Sequence, residues 1–160
     1  MVILFSYTLK QITDSPIIRV IPCECVLCPC CRKGFLAYRD SVRRICRRVT
    51  SGKNWIFLIP RGKCPLCGAI RRELPVFLCP YKQYPAAVIY YAIENPRKLS
   101  QLKKMCPAER RPHKDTVSDW KKWAGPSFIY LRGLTAYICF SRNARITVAQ
   151  SLAAFSSKTG

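Results

Sequence analysis

The chain has 160 residues, 49% of them apolar, and sets 28 Lys and Arg against 8 Asp and Glu for a formal net charge of +20. That length accommodates one ordinary domain or two small modules on a modest core, and the apolar share excludes a chain that is disordered throughout. So large a cationic excess repels itself unless an anionic partner neutralises it, which makes nucleic acid the leading class of partner.

The first stretch, "MVILFSY", lacks a preceding basic region, and Lys10 interrupts it before an export signal of ordinary length can form. No apolar run is long enough to anchor in a bilayer and no basic amphipathic helix stands out, so no membrane association is expected. Residues 1–22 read as an N-terminal strand or extension. The eleven cysteines are odd in number and follow no export signal. The expectation is a reduced, cytoplasmic protein whose C-x-x-C pairs bind metal rather than form disulfides.

Residues 23–80 carry those pairs. "CPLCG" at 64–68 has the form of a zinc knuckle: two intervening residues let Cys64 and Cys67 reach one ion at about 2.3 Å, and Gly68 permits the left-handed turn that follows. Upstream, "CECVLCPCC" at 23–31 offers two registers, Cys25 with Cys28 or Cys28 with Cys31. The second repeats the proline after the first ligand and is preferred. Cys28, Cys31, Cys64 and Cys67 then make a closed four-thiolate site for a structural Zn²⁺, with no open position for catalysis. Between the pairs, "GFLAY" at 34–38 and "NWIFLIP" at 54–60 read as strands joined through "TSGKN", a small antiparallel sheet below the knuckles. Cys46, Cys79, Cys106 and Cys139 stand alone in sequence and read as small apolar residues.

The stretch "YRDSVRRICRRVTSGKNW" places Arg39, Arg43, Arg44, Arg47, Arg48 and Lys53 against one acid, Asp40. With Val42, Ile45 and Val49 turned to the sheet, the guanidinium groups would face outward onto phosphates.

From residue 81 to 125 the pattern becomes helical. Pro85 opens "PAAVIYYAIEN", apolar almost all round; Asn95 and Pro96 begin a second, amphipathic helix over "NPRKLSQLKKMC"; a third follows in "DTVSDWKKWAG", with Thr116 and Asp119 as capping box and Gly125-Pro126 as stop. Its apolar side is Val117, Trp120 and Ala124. Its polar side, Lys114, Ser118, Lys121 and Lys122, suits a helix entering a DNA groove, which predicts a helix-turn-helix-like region despite the long connection "CPAERRPHK". Residues 126–160 read as further apolar helices and a tail. The fold class expected is therefore α+β: an N-terminal four-cysteine zinc ribbon followed by a helical helix-turn-helix-like region.

Cys28-Pro29-x-Cys31, the Arg-rich run from Tyr38 to Arg48, Arg61-x-x-Cys64-Pro65-x-Cys67-Gly68, the phrase "LPVFLCPYKQY" from Leu74 to Tyr84, and "TVSDWKKW" together resemble a bacterial zinc-ribbon plus helix-turn-helix domain family of transposase-like mobile-element proteins. Arg32 stands where that family usually has glycine. The resemblance implies binding of double-stranded DNA in transposition.

Two other readings compete with it. One is a zinc-stabilised RNA-binding or protein-interaction module, whose sign would be exposed aromatics such as Tyr38 or Trp55. The other is a truncated transposase relic. An enzyme is not expected: the acids are few and scattered, and His113 is the sole histidine.

Overall fold

The computed structural model describes residues 1–12, 15–47, 54–94 and 110–125. Six strands, β1 (Val2–Leu4), β2 (Tyr7–Gln11), β3 (Ile17–Pro22), β4 (Ala37–Cys46), β5 (Trp55–Lys63) and β6 (Ile70–Pro75), build one curled mixed sheet. Two helices cover part of it: α1 (Ala86–Glu94) and α2, helical over residues 114–125.

β5 is the organising strand because it is apolar on both sides. Trp55, Phe57 and Ile59 are buried on one face, while Ile56 and Leu58 are half-buried on the other. One edge pairs antiparallel with β4 along its full length, Cys46 opposite Trp55 through to Ala37 opposite Lys63, with a bulge at Arg39. The other edge is divided. β3 takes its first half in parallel (Ile18 opposite Phe57), and β6 takes its end antiparallel (Arg61 opposite Arg72). β2 extends the sheet from β3, and β1 lies parallel to β6, with Ile3 opposite Leu74. Alternation along β3 buries Ile18 and Val20, which join Leu4, Trp55, Phe57, Ile59, Leu74, Phe77 and Leu78 in the main core.

Among the described residues there is no helix-turn-helix-like region. α1 is as apolar as its sequence suggested, and burying it requires a wall that a free-standing helical module of this size would lack. That wall is the end of the sheet: α1, Val76, Cys79 and Tyr84 form one cluster with Val117, Trp120 and Ala124 of α2, and Ile3 and Tyr7 of the strands pack against it. The chain is thus mostly β, with two short helices docked on the sheet, and not a zinc ribbon followed by a helical domain. The second expected helix and the tail lie outside the described residues. So do Arg48, Val49, Lys53, Cys106 and Cys139. No helix among the described residues is long and apolar enough to cross a membrane.

Candidate functional site

The four proline-marked cysteines converge. The sulfurs of Cys28, Cys31, Cys64 and Cys67 all lie within 4.8 Å of one another, and Cys28–Cys67 and Cys31–Cys64 are each 3.6 Å apart. A tetrahedron with metal–sulfur bonds of about 2.3 Å has edges of about 3.8 Å. The donor set therefore has the size, and the chemistry, of a tetrathiolate metal site compatible with structural zinc. It is the only such cluster of His, Cys, Asp or Glu among the described residues.

Each half of the site is built by the same local folding. Cys28 N–H donates to the Gly34 carbonyl (2.8 Å) and Cys64 N–H to that of Ala69 (2.9 Å); Arg32 N–H returns to Cys28 and Gly68 N–H to Cys64, both at 2.9 Å. Amides turned inward in this way favour thiolates. The N–H groups of Gly34 and Lys33 hold Cys31 down to about 6, and the Cys31 and Cys30 amides hold Cys28 below the ordinary thiol range against the cost of burial. Cys67 goes the other way: the Ala69 amide lowers it, but burial and the three neighbouring sulfurs outweigh that and push it up to about 12. Four thiols so close cannot all ionise without a cation among them.

The register preferred from sequence is thus the one that assembles. Cys23, Cys25 and Cys30 are exposed. Cys23 Sγ meets Thr8 Oγ1 at 3.2 Å, and Arg71 reaches Cys30 Sγ at 2.5 Å, tying the first knuckle to β6. Cys46 and Cys79 are fully buried, their thiols pushed up to about 12 by that burial. Gly34 allows the halves to approach, since a Cβ there would stand 2.9 Å from the Cys64 sulfur.

The residues that close the two turns, Arg32 and Gly68, both take positive φ, 54° and 71°. Glycine does this freely; an L side chain pays a steric penalty. Arg32→Gly is expected to stabilise the metal-loaded protein by roughly 0.5–1 kcal/mol. A thermal melt at saturating metal checks this, and an unchanged or lowered midpoint would contradict it.

The structure sorts the basic strip rather than presenting it whole. Its part up to Cys46 belongs to strand β4, and neighbouring residues of a strand point to opposite faces. Arg44 turns inward, where it donates to the carbonyls of Cys79 and of Lys82 (the latter at 2.7 Å), and burial lowers its pKa. Ile45, expected to face the sheet, is 51% exposed instead. Arg47 is committed to the segment after β6, donating to Gln83 Oε1 (3.2 Å) and Tyr84 Oη (3.0 Å). Arg39 leans on Asp40 at 3.7 Å, and Asp40 is forked by Arg61, whose hydrogen bonds hold the carboxyl below its usual range. Only Arg43 of the described set is exposed with no hydrogen bond or ion pair to any described residue. Lys114, Ser118, Lys121 and Lys122 are exposed on α2, opposite its buried Val117, Trp120 and Ala124.

Sequence reading missed the residues that accompany Arg43. Lys10 of β2 lies opposite Arg19 of β3, Arg19 opposite Leu58 of β5, and Leu58 opposite Arg43 of β4. Lys10, Arg19 and Arg43 therefore form one exposed row on the sheet face away from the core, spanning roughly 14 Å at about 4.8 Å per strand. The available signal was Arg19 itself, the one charge inside the apolar run "IIRVIP". Of the two candidate aromatics, Tyr38 is 71% exposed and Trp55 only 7%. Among the described carboxylates, Asp40 is tied to Arg61, Glu24 accepts the N–H groups of Phe5 and Ser6, Glu73 is buried with its pKa raised by that burial, and Asp115 lies 3.1 Å from His113.

No curated protein and no solved structure matches the chain. A family model matches residues 28–120, from the first knuckle cysteine to the buried tryptophan of α2 and more than half of the length, and the chain belongs to that family, Domain of unknown function (DUF6431).

Proposed function

We propose that the chain is a zinc-stabilised, non-catalytic protein that binds double-stranded DNA, in the service of a mobile element as the resemblance of its knuckles and its 74–84 phrase implies. The observation that carries this reading is the row of Lys10, Arg19 and Arg43. Three exposed cations in register across four strands, none engaged by an acid among the described residues, form a stripe suited to a phosphate backbone. Zn²⁺ at Cys28, Cys31, Cys64 and Cys67 has a structural part in it: the knuckles lead into β4 and out of β5, so the metal holds the hairpin that carries Arg43 and that offers β5 to the strand of Arg19. The exposed lysines of α2 add to the general attraction. The dispersed acids support a role in holding DNA while any strand chemistry belongs to another chain.

Association with a 20-base-pair duplex, followed by fluorescence anisotropy, is expected to weaken steeply between 50 and 200 mM salt, as released counterions require. Replacing Arg19 and Arg43 together by glutamine is expected to reduce the slope of log K against log salt by about two, close to 0.9 for each phosphate contact. Binding that is absent, or indifferent to salt, would end this reading.

A further inference from the structure

One exposed aromatic has no place in the duplex-binding stripe. Tyr81 is 82% exposed, the most open large apolar residue in the described chain, and its backbone is left-handed at φ 60°. Both features are unfavourable for folding alone, since tyrosine gains nothing from the left-handed region and the residue buries little surface here. Yet the turn is firmly held. Lys82 N–H returns to the Cys79 carbonyl at 3.3 Å, and Arg44 clamps the carbonyls of Cys79 and Lys82 from below.

On either side of this turn lies an open groove, and the two meet at Tyr81, Lys82 and Gln83. The first, of about 360 Å³, is lined by Arg43, Arg44 and Arg72. The second, of about 370 Å³, is lined by Arg47, Arg111 and His113. No acidic side chain lines the first, and the acid nearest the second is Asp115, 3.1 Å from His113. The Arg72 side chain has no hydrogen bond or ion pair to any described residue. A raised aromatic ring between two cationic grooves has the chemistry of a single-strand binding site, in which phosphates follow the charge and a base stacks on the ring without regard to sequence.

We infer that Tyr81 is a stacking platform for an unpaired base, and that the strand carrying this base runs along the adjoining grooves with Arg72 on its phosphates. The inference rests on the nucleic-acid reading above and deepens it: the protein grips duplex on its sheet face and an unpaired strand at the 79–83 turn. Arg43 belongs to both surfaces and marks where they adjoin.

The test uses the full-length, zinc-loaded protein and a fluorescein-labelled twelve-nucleotide oligothymidine. Tyr81→Ala is expected to weaken its binding about tenfold, the usual scale for one lost stacking contact, with duplex affinity changed less than twofold. Tyr81→Trp is expected to retain it. Tyr81→Gly separates stacking from folding, because it relieves the left-handed strain: it should melt higher than the parent and bind the oligothymidine about tenfold more weakly. If Tyr81→Ala and Tyr81→Gly bind the single strand as the parent does while duplex binding persists, the platform is wrong and the duplex reading stands. If the parent binds neither nucleic acid, both are wrong.

Discussion

Cys64→Ser and Cys31→Ser are each expected to abolish stoichiometric zinc, while Cys25→Ser retains one ion per chain. The two sensitive positions come from opposite knuckles whose sulfurs touch at 3.6 Å, whereas Cys25 is exposed and outside the cluster. A serine leaves three thiolates and a poor fourth donor, and an apparent zinc affinity on the order of 10 kcal/mol is then largely lost. That is comparable with the whole stability of an ordinary domain, so the two variants, and the parent after chelation, should lose their cooperative thermal transition. Zinc per chain by atomic absorption, with a circular-dichroism melt of each variant, checks both halves. Gly34→Ala is a finer probe, since its Cβ would crowd the buried Cys64 sulfur at 2.9 Å while leaving every ligand in place. It should bind zinc more weakly without losing it. Equal zinc content in Cys25→Ser and Cys64→Ser would overturn the assignment.

The second large effect is at Arg44. Its guanidinium is half-buried and donates to two backbone carbonyls; a bond from a charged donor contributes about 1.5–3 kcal/mol net of exchange with water, and less where the group is partly solvated. Arg44→Met keeps the apolar stem against the core and removes only the donors. It is expected to destabilise the protein by about 2 kcal/mol, lowering the melting midpoint by roughly 4–8 °C. Arg43→Met, one residue away on the other face, should change the midpoint by less than 2 °C, within the ordinary range for a surface substitution. A salt-bridging or phosphate-facing role for Arg44 predicts the reverse ranking, with DNA affinity falling and stability unmoved.

These two residues show what can be read from a sequence of this kind. The knuckle ligands were legible because a C-x-x-C turn is local: two residues of spacing, a proline and a glycine determine where both sulfurs go. The apolar faces of α1 and α2 were legible for the same reason, through a period fixed within each helix. The sheet was not. Ile3 meets Leu74, and Ile18 meets Phe57, through parallel pairings whose partners lie far apart and leave no mark in either segment's composition. A reading of residues 1–22 as one strand or an extension therefore leaves out most of the three strands they contribute, and helices without that wall need a domain of their own. The arginine doublets carried a clue: adjacent residues in a strand cannot both face solvent when one side is core, so one arginine of "RR" at 43–44 had to turn inward. Tyr81 is a different case, because its exposure comes from a turn whose geometry depends on a clamp 37 residues earlier in the chain.

The division of one edge of β5 between β3 and β6 bears on how the chain comes to be folded. β1, β2 and β3 are synthesised first, yet the strands that receive β1 and β3 come dozens of residues later. Until then Leu4, Ile18 and Val20 have no partners on the sheet, a condition that favours slow folding and association with other unfinished chains. The hairpin of β4 and β5 has no such wait, since its strands are neighbours in sequence and pair along their whole length. Metal capture at the knuckles that bracket this hairpin would set the template early. The supply of zinc during synthesis would then govern the yield of usable protein as much as the strength of the finished fold.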